Sequence, residues 1–213
     1  MGKLTNGLSG GFRGRLGNVI GYELNGQDVI RSAPRHARRK FSAAQLASQR
    51  QLTLLCQLFR NAGLLLKNGF SHLALHSVRN YYNLAVQENR SCVAHVNGPD
   101  IGIDYSKVCW SKGNLDAPIH PKVEVANGGL RFSWDNPADA SNTAWSDQVM
   151  LLALVPGTDV KWVKQSGAQR AEKSDLLLIP GAENYQQLET YISFVADNRL
   201  QAANSVYLGA IAI

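Results

Sequence analysis

The chain has 213 residues, 45% of them hydrophobic and 18% charged, a composition that fits a folded protein with a sizeable core and excludes a disordered one. No run of about 18 apolar residues occurs, which excludes a membrane-spanning helix. The net charge of +6 is unevenly divided: residues 1–95 hold thirteen Lys/Arg against three acidic residues, a net +10, and residues 96–213 hold nine against thirteen, a net −4. Such a division suits a polyanion partner, or head-to-tail docking of one copy on another.

Residues 1–17 form a glycine-rich lead. Neither GxxxxGK[ST] nor GxGxxG can be read there, which removes the phosphate-loop and dinucleotide readings. The segment "GGFRGR" has the makings of one RGG-type RNA-binding unit, but a loop using glycine to pass close to another backbone is the plainer reading. Lys3 is followed by no apolar segment, so no secretory signal is expected; with Met1 at the start, this implies a cytoplasmic location, export by a non-standard route staying open.

A β-hairpin is expected next, from Val19–Leu24 and Asp28–Ser32 around Asn25-Gly26, a strong hairpin signal because both residues tolerate positive φ. Val19, Ile20, Tyr22, Val29 and Ile30 are its packing residues. A two-residue loop would place Glu23 opposite Asp28. The expectation is therefore a three-residue loop through Gln27, pairing Tyr22 with Ile30 and Leu24 with Asp28.

The connector Arg35-His36-Ala37-Arg38-Arg39-Lys40 leads into a helix. Together with Arg13, Arg15 and Arg31, the cations Arg35, Arg38, Arg39 and Lys40 form the candidate assembly or polyanion-binding set. Cations at a helix N-terminus are locally unfavourable, which calls for an acidic partner. Ser42 with Gln45 reads as a capping box, and Phe41 with Leu46 as a hydrophobic staple. Leu55, Leu58, Phe59, Ala62, Leu65 and Leu66 keep helical spacing, and Asn68-Gly69 is expected to end the helix. A second helix over roughly 72–89, with the stripe Ala74, Val78, Tyr81, Tyr82 and Ala85, completes an αα-hairpin. His72 and His76 share a face at i, i+4, but no third ligand stands in register, so no metal is assigned.

Beyond Asn97-Gly98-Pro99 the pattern changes to short β-runs: Ile103–Trp110, Lys122–Ala126, Leu130–Trp134, Gln148–Val155, Val160–Lys164, Leu176–Ile179, Leu188–Ala196 and Ser205–Ile213. Asn127-Gly128-Gly129, Asp135-Asn136-Pro137, Pro156-Gly157 and Pro180-Gly181 supply turn chemistry between them. The fold class implied is α+β. A glycine-rich arm, β-hairpin and two-helix region fill residues 1–98, and an Ig-like or fibronectin-III-like antiparallel β-sandwich fills residues 99–213. The apolar run "SVYLGAIAI" must pair inside a sheet or present an open edge.

No catalytic constellation emerges. There is no GxSxG, and Cys56, Cys92 and Cys109 form no CxxC and read as buried free thiols. Asp135 and Asp139 bracket a turn, while Asp100 and Asp104 are expected to pair with the basic half. No catalytic residue, cofactor or metal is assigned, and a non-enzymatic class is expected. A structural protein that forms a homo-oligomer, as a ring or a filament, ranks first. A nucleic-acid-binding module using the basic set ranks second, and a carbohydrate-binding sandwich face using Trp145 or Trp162 third.

The segments "GRLGNVIGYELNGQDVIR", "IDYSKVCWSKGNL", "SDQVMLL" and "YLG" resemble a Bacteroidota family of unknown function, over nearly the whole chain. The resemblance implies a basic glycine-rich N-terminus, a helical middle and a β-rich second half. It brings no catalytic residue to any position here.

Overall fold

Short runs mixing apolar and polar residues, separated by glycine-containing turns, make the first part of the chain largely strand. The computed structural model describes residues 3–4, 11–24, 26–34, 40–75, 77–97, 100–126, 128–136, 145–181 and 184–213. It divides into two compact units, Met1–Ala43 and Ala44–Ile213.

In the first unit, β1 (Lys3–Leu4), β2 (Phe12–Leu16), β3 (Val19–Leu24) and β4 (Gln27–Ser32) form an antiparallel sheet in that order. Part of the glycine-rich lead is thus a strand. Gly21 on β3 has to be glycine: a Cβ there would lie 2.2 Å from the Phe12 carbonyl oxygen. The β3–β4 register corrects the expected loop. Tyr22 pairs with Val29, Glu23 with Asp28 and Leu24 with Gln27, which leaves two residues between the strands. Gly26 takes φ +80°, as a primed hairpin turn requires. Beside the Glu23–Asp28 juxtaposition, Arg13 ion-pairs with Glu23.

The second unit opens with three helices where two were expected: α1 (Ala43–Phe59), α2 (Gly63–Ala74) and α3 (Tyr81–Glu88). The first break falls at Asn61, in the left-handed region at φ +64°, and not at Asn68-Gly69. α3 starts at Asn80, whose side chain accepts a hydrogen bond from the Asn83 amide at 2.8 Å. A two-stranded sheet of β5 (Val93–Asn97) and β6 (Asp100–Ile103) follows. The strand expected over Ile103–Trp110 is instead a 3-10 turn at Tyr105–Lys107. Asp104 caps it, accepting from the Ser106 amide and pairing with Lys107 at 2.8 Å. The partner of Asp104 is therefore local and not in the basic half.

The remaining strands are β7 (Ile119–Ala126), β8 (Gly129–Asp135), β9 (Gln148–Leu154), β10 (Lys161–Lys164), β11 (Ser174–Leu178), β12 (Gln187–Val195) and β13 (Val206–Ala212). They build two antiparallel sheets, ordered β10-β9-β12-β13 and β11-β8-β7. Gly128, Gly157 and Gly181 adopt positive φ between them, where the turn chemistry placed the breaks.

Leu130, Phe132 and Trp134 of β8 meet Val149 and Leu151 of β9 and Phe194 of β12 in a core between the two sheets. The opposite face of β9 and β12, with Met150, Leu152, Leu154, Tyr191 and Val195, packs on Leu55, Phe59, Leu66, Phe70 and Trp110. The central strands are thus buried on both faces, which is why "QVMLLAL" is continuously apolar and does not alternate. The helices and the larger sheets share this core within the unit Ala44–Ile213. Among the described residues no helix is long and apolar enough to cross a membrane. Of the three free cysteines only Cys92 is buried, its thiol pushed up to about 11 by desolvation; Cys109 is half-buried and Cys56 exposed. The expectation of three buried thiols is corrected accordingly: Cys56 is exposed on α1, beside Tyr82 of α3.

Candidate assembly and polyanion-binding surfaces

Strand pairing gathers part of the basic set. The register aligns Arg15 of β2, Ile20 of β3 and Arg31 of β4 in one row across the sheet, so the two guanidinium side chains flank an apolar residue. Arg31 also lies over the Tyr22 ring, 5.7 Å from its centroid. Arg15 Nε donates to the Gly17 carbonyl at 3.0 Å, and Arg13 is partly neutralised by Glu23. Lys40 is exposed just before α1. Arg35, Arg38 and Arg39 lie outside the described residues.

The apolar residues of this sheet are poorly covered. Val19, Ile20, Tyr22 and Val29 are half-buried, whereas Leu16 and Ile30 are 62% and 64% exposed. Among the described residues of β2, β3 and β4 only Gly21 is buried. A sheet needs a packed face to be stable in water, and among the described residues this one has apolar side chains without a core of its own.

The second unit holds two grooves that sequence reading missed, because their linings come from different elements. One, of about 550 Å³, is lined by Leu52, Arg79, Asn83, Val86, Gln87 and Arg90, with Arg79 donating to Gln87. The spacing of Asn83 and Gln87 along α3, with Arg90 in the 3-10 turn just beyond it, was the only sequence signal for it. The other, of about 440 Å³, lies between the end of α1 and the turn after β9. There Arg60 pairs with Asp159 at 2.6 Å, and the Gly157 amide donates to the Tyr105 hydroxyl at 2.8 Å.

On the helix-facing side of β10, opposite Leu154, Lys161 has its Nζ buried with no hydrogen-bond partner among the described residues. Burial lowers its pKa, opposed by Asp159. A lysine whose folded pKa lies below 10.5 costs stability while it is charged, and the cost fades as pH rises toward 10.5. Lys161→Met is expected to stabilise the fold by about 0.5–1 kcal/mol at pH 7. Differential scanning fluorimetry should show the gain shrinking by pH 10, and a lower melting temperature at pH 7 would contradict it.

His72 is half-buried, with burial lowering its pKa, and His76 lies outside the described residues. Among the described residues no group of three or more His, Cys, Asp or Glu is placed to hold a metal. Trp162 is half-buried and packs edge-to-face on Tyr185 at 5.6 Å beside the inter-sheet core; Trp145 is exposed. Asp135 lies 3.2 Å from His120, and Asp139 is outside the described residues.

A model for a family of unknown function, DUF6266, matches residues 11–209. No curated protein and no solved structure matches the chain.

Proposed function

We propose that this chain, which belongs to the DUF6266 family of unknown function, is a non-enzymatic structural protein whose copies associate through the N-terminal β-unit. The observation that carries this reading is the first sheet, in which Leu16, Leu24 and Ile30 are exposed and, among the described residues of β2, β3 and β4, Gly21 alone is buried. Adding such a sheet to a neighbour's sheet buries its apolar face and satisfies its edge. In this reading the seven strands of the two larger sheets act as an Ig-like sandwich that receives it. The opposite charge of the two parts of the chain, +10 and −4, steers one copy onto the next.

Light scattering after size exclusion tests this. The mass of the full chain should rise with concentration and fall with salt. Removal of residues 1–33 should leave a folded monomer, and Ile30→Asp should weaken association about tenfold, the scale of one lost interface anchor. A full chain that is monomeric at every concentration and salt overturns the proposal.

A second reading, nucleic-acid binding, is favoured by the Arg15–Ile20–Arg31 row and by Arg31 over Tyr22, an arrangement that can pair phosphates and stack a base. Gel shifts with single-stranded RNA and DNA should then weaken steeply as salt rises. Absence of a shift at low salt ends this reading.

A further inference from the structure

Among the described residues the two larger sheets of the second unit end in four edge strands, β10, β13, β11 and β7, and three of them are protected. β7 carries Pro121, Lys122 and Glu124, with His120 in the left-handed region at φ +43° and a register shift beside it. β10 is only four residues long with lysine at both ends. β11 has Asp175, whose carboxylate takes hydrogen bonds from the Ala168 amide at 2.8 Å and from Lys164 at 2.6 Å. Prolines, charges, bulges and short length are how sheets discourage a further strand.

β13, "VYLGAIA", has neither charge nor proline over seven residues. A register shift between Thr190 and Tyr191 of β12 bends β13 near Gly209, which sits at φ +97°. Beyond that bend the ladder to β12 is regular, pairing Gly209 with Thr190, Ala210 with Glu189, Ile211 with Leu188 and Ala212 with Gln187. The Ile213 amide donates to the Gln186 carbonyl. Because backbone groups alternate in direction along an antiparallel strand, Ala210 and Ala212 then aim their N–H and C=O away from β12. Both are exposed.

The first unit offers a matching edge. β4 ends its sheet, and the Ala33 amide donates to the Asn18 carbonyl at 2.7 Å. By the same alternation Asp28, Ile30 and Ser32 turn their backbone groups outward, and the Ile30 side chain is exposed beside them.

We propose that β13 is the acceptor edge for self-association and that β4 of a second copy is the strand added to it, Asp28, Ile30 and Ser32 pairing along Ala210 and Ala212. This assignment rests on the self-association reading above. The charge division favours a second copy as the occupant, since β4 lies in the +10 part of the chain and β13 in the −4 part.

Three full-length chains test it by light scattering over a concentration series: the unaltered chain, Ala212→Pro and Ala210→Lys. Proline at 212 removes an outward N–H without touching the β12 ladder, and lysine at 210 charges the edge. Each should raise the association midpoint about tenfold or more, the effect of one or two lost main-chain hydrogen bonds, while leaving the thermal transition of the monomer in place. Where proline also lowers that transition, the lysine variant decides. In a Cys56→Ser background, chains bearing Ile30→Cys mixed with chains bearing Ala210→Cys should cross-link to each other through a short bismaleimide. An unaltered chain that associates while both edge variants associate equally well overturns the β13 assignment and leaves self-association standing. An unaltered chain that stays monomeric overturns both.

Discussion

Replacing Arg170 by alanine is expected to cost about 3–5 kcal/mol of folding stability, the effect of stripping one partner from a buried ion pair. Arg170 and Asp147 are 1% and 4% exposed at their side chains and stand 3.3 Å apart. The guanidinium also lies 3.8 Å over the Phe194 ring and donates to the Asp116 carbonyl at 2.7 Å, while the Arg170 carbonyl accepts from Trp134 Nε1 at 2.9 Å. Yet Nε and one terminal nitrogen of Arg170, and one oxygen of Asp147, have no well-aligned hydrogen-bond partner among the described residues. Burial pushes both groups toward their neutral forms, Asp147 upward and Arg170 downward, against their mutual attraction. Desolvation therefore outweighs the pairing, and each charge depends on the other to be tolerable.

Two consequences follow from that imbalance. An Asp147→Leu/Arg170→Met double variant should fall within about 1–2 kcal/mol of the unaltered chain, because both charges leave the interior together. In Arg170→Ala the lone carboxyl is raised further above 3.8. A carboxyl raised in the folded state contributes stability that is present below the unfolded value and lost as pH rises through the folded one. Denaturant melts of Arg170→Ala should thus steepen their loss of stability above pH 4 relative to the unaltered chain. A single variant no worse than the double would show that the pair does not matter to the fold.

Turn chemistry made much of the β-rich part legible. The glycines at 128, 157 and 181 need positive φ, and between such markers the apolar runs had to be strands. The run "QVMLLAL" even carried its burial on both faces, though which elements cover it is a tertiary fact. Elsewhere one residue type served two purposes and the sequence was ambiguous. At the hairpin, avoiding the Glu23–Asp28 pair favoured a slipped register; a slip of one residue turns every side chain to the other face. In the expected register Arg31 stands opposite Gly21, whereas the observed one sets it beside Ile20 and creates the basic row. Glu23 in the observed register has an ion-pair partner, Arg13, that comes from β2, a strand hidden in the glycine-rich lead. The grooves along α3 and at the end of α1 were not legible, because their linings converge only when α1, α3, β6 and β9 pack.

Gly69 is the sharpest case of that ambiguity and yields a prediction with an inverted sign. After Asn68 it reads as a helix terminator, but it lies inside α2. A Cβ at residue 69 would sit 2.5 Å from the Trp110 carbonyl oxygen, 2.7 Å from Ser111 Cβ and 2.8 Å from Ser111 Cα. The Lys112 amide donates to the Gly69 carbonyl at 3.3 Å, so the chain at 110–112 runs against the helix backbone. Those atoms cannot step aside cheaply, since Trp110 is wedged among Phe59 and Tyr191 with ring centroids 5.7 and 5.9 Å away. In an exposed helix interior Gly→Ala gains about 1 kcal/mol. Here Gly69→Ala is expected to lose about 1–3 kcal/mol, because α2 must lift off its core. Gly63, at the start of the same helix, has nothing within 4 Å of its Cβ position, and Gly63→Ala should gain a few tenths of a kcal/mol. Equilibrium urea melts of the two variants, measured side by side, separate the explanations. Opposite signs support close approach as the reason for glycine at 69, and stabilisation of both would mean the helix tolerates a side chain there.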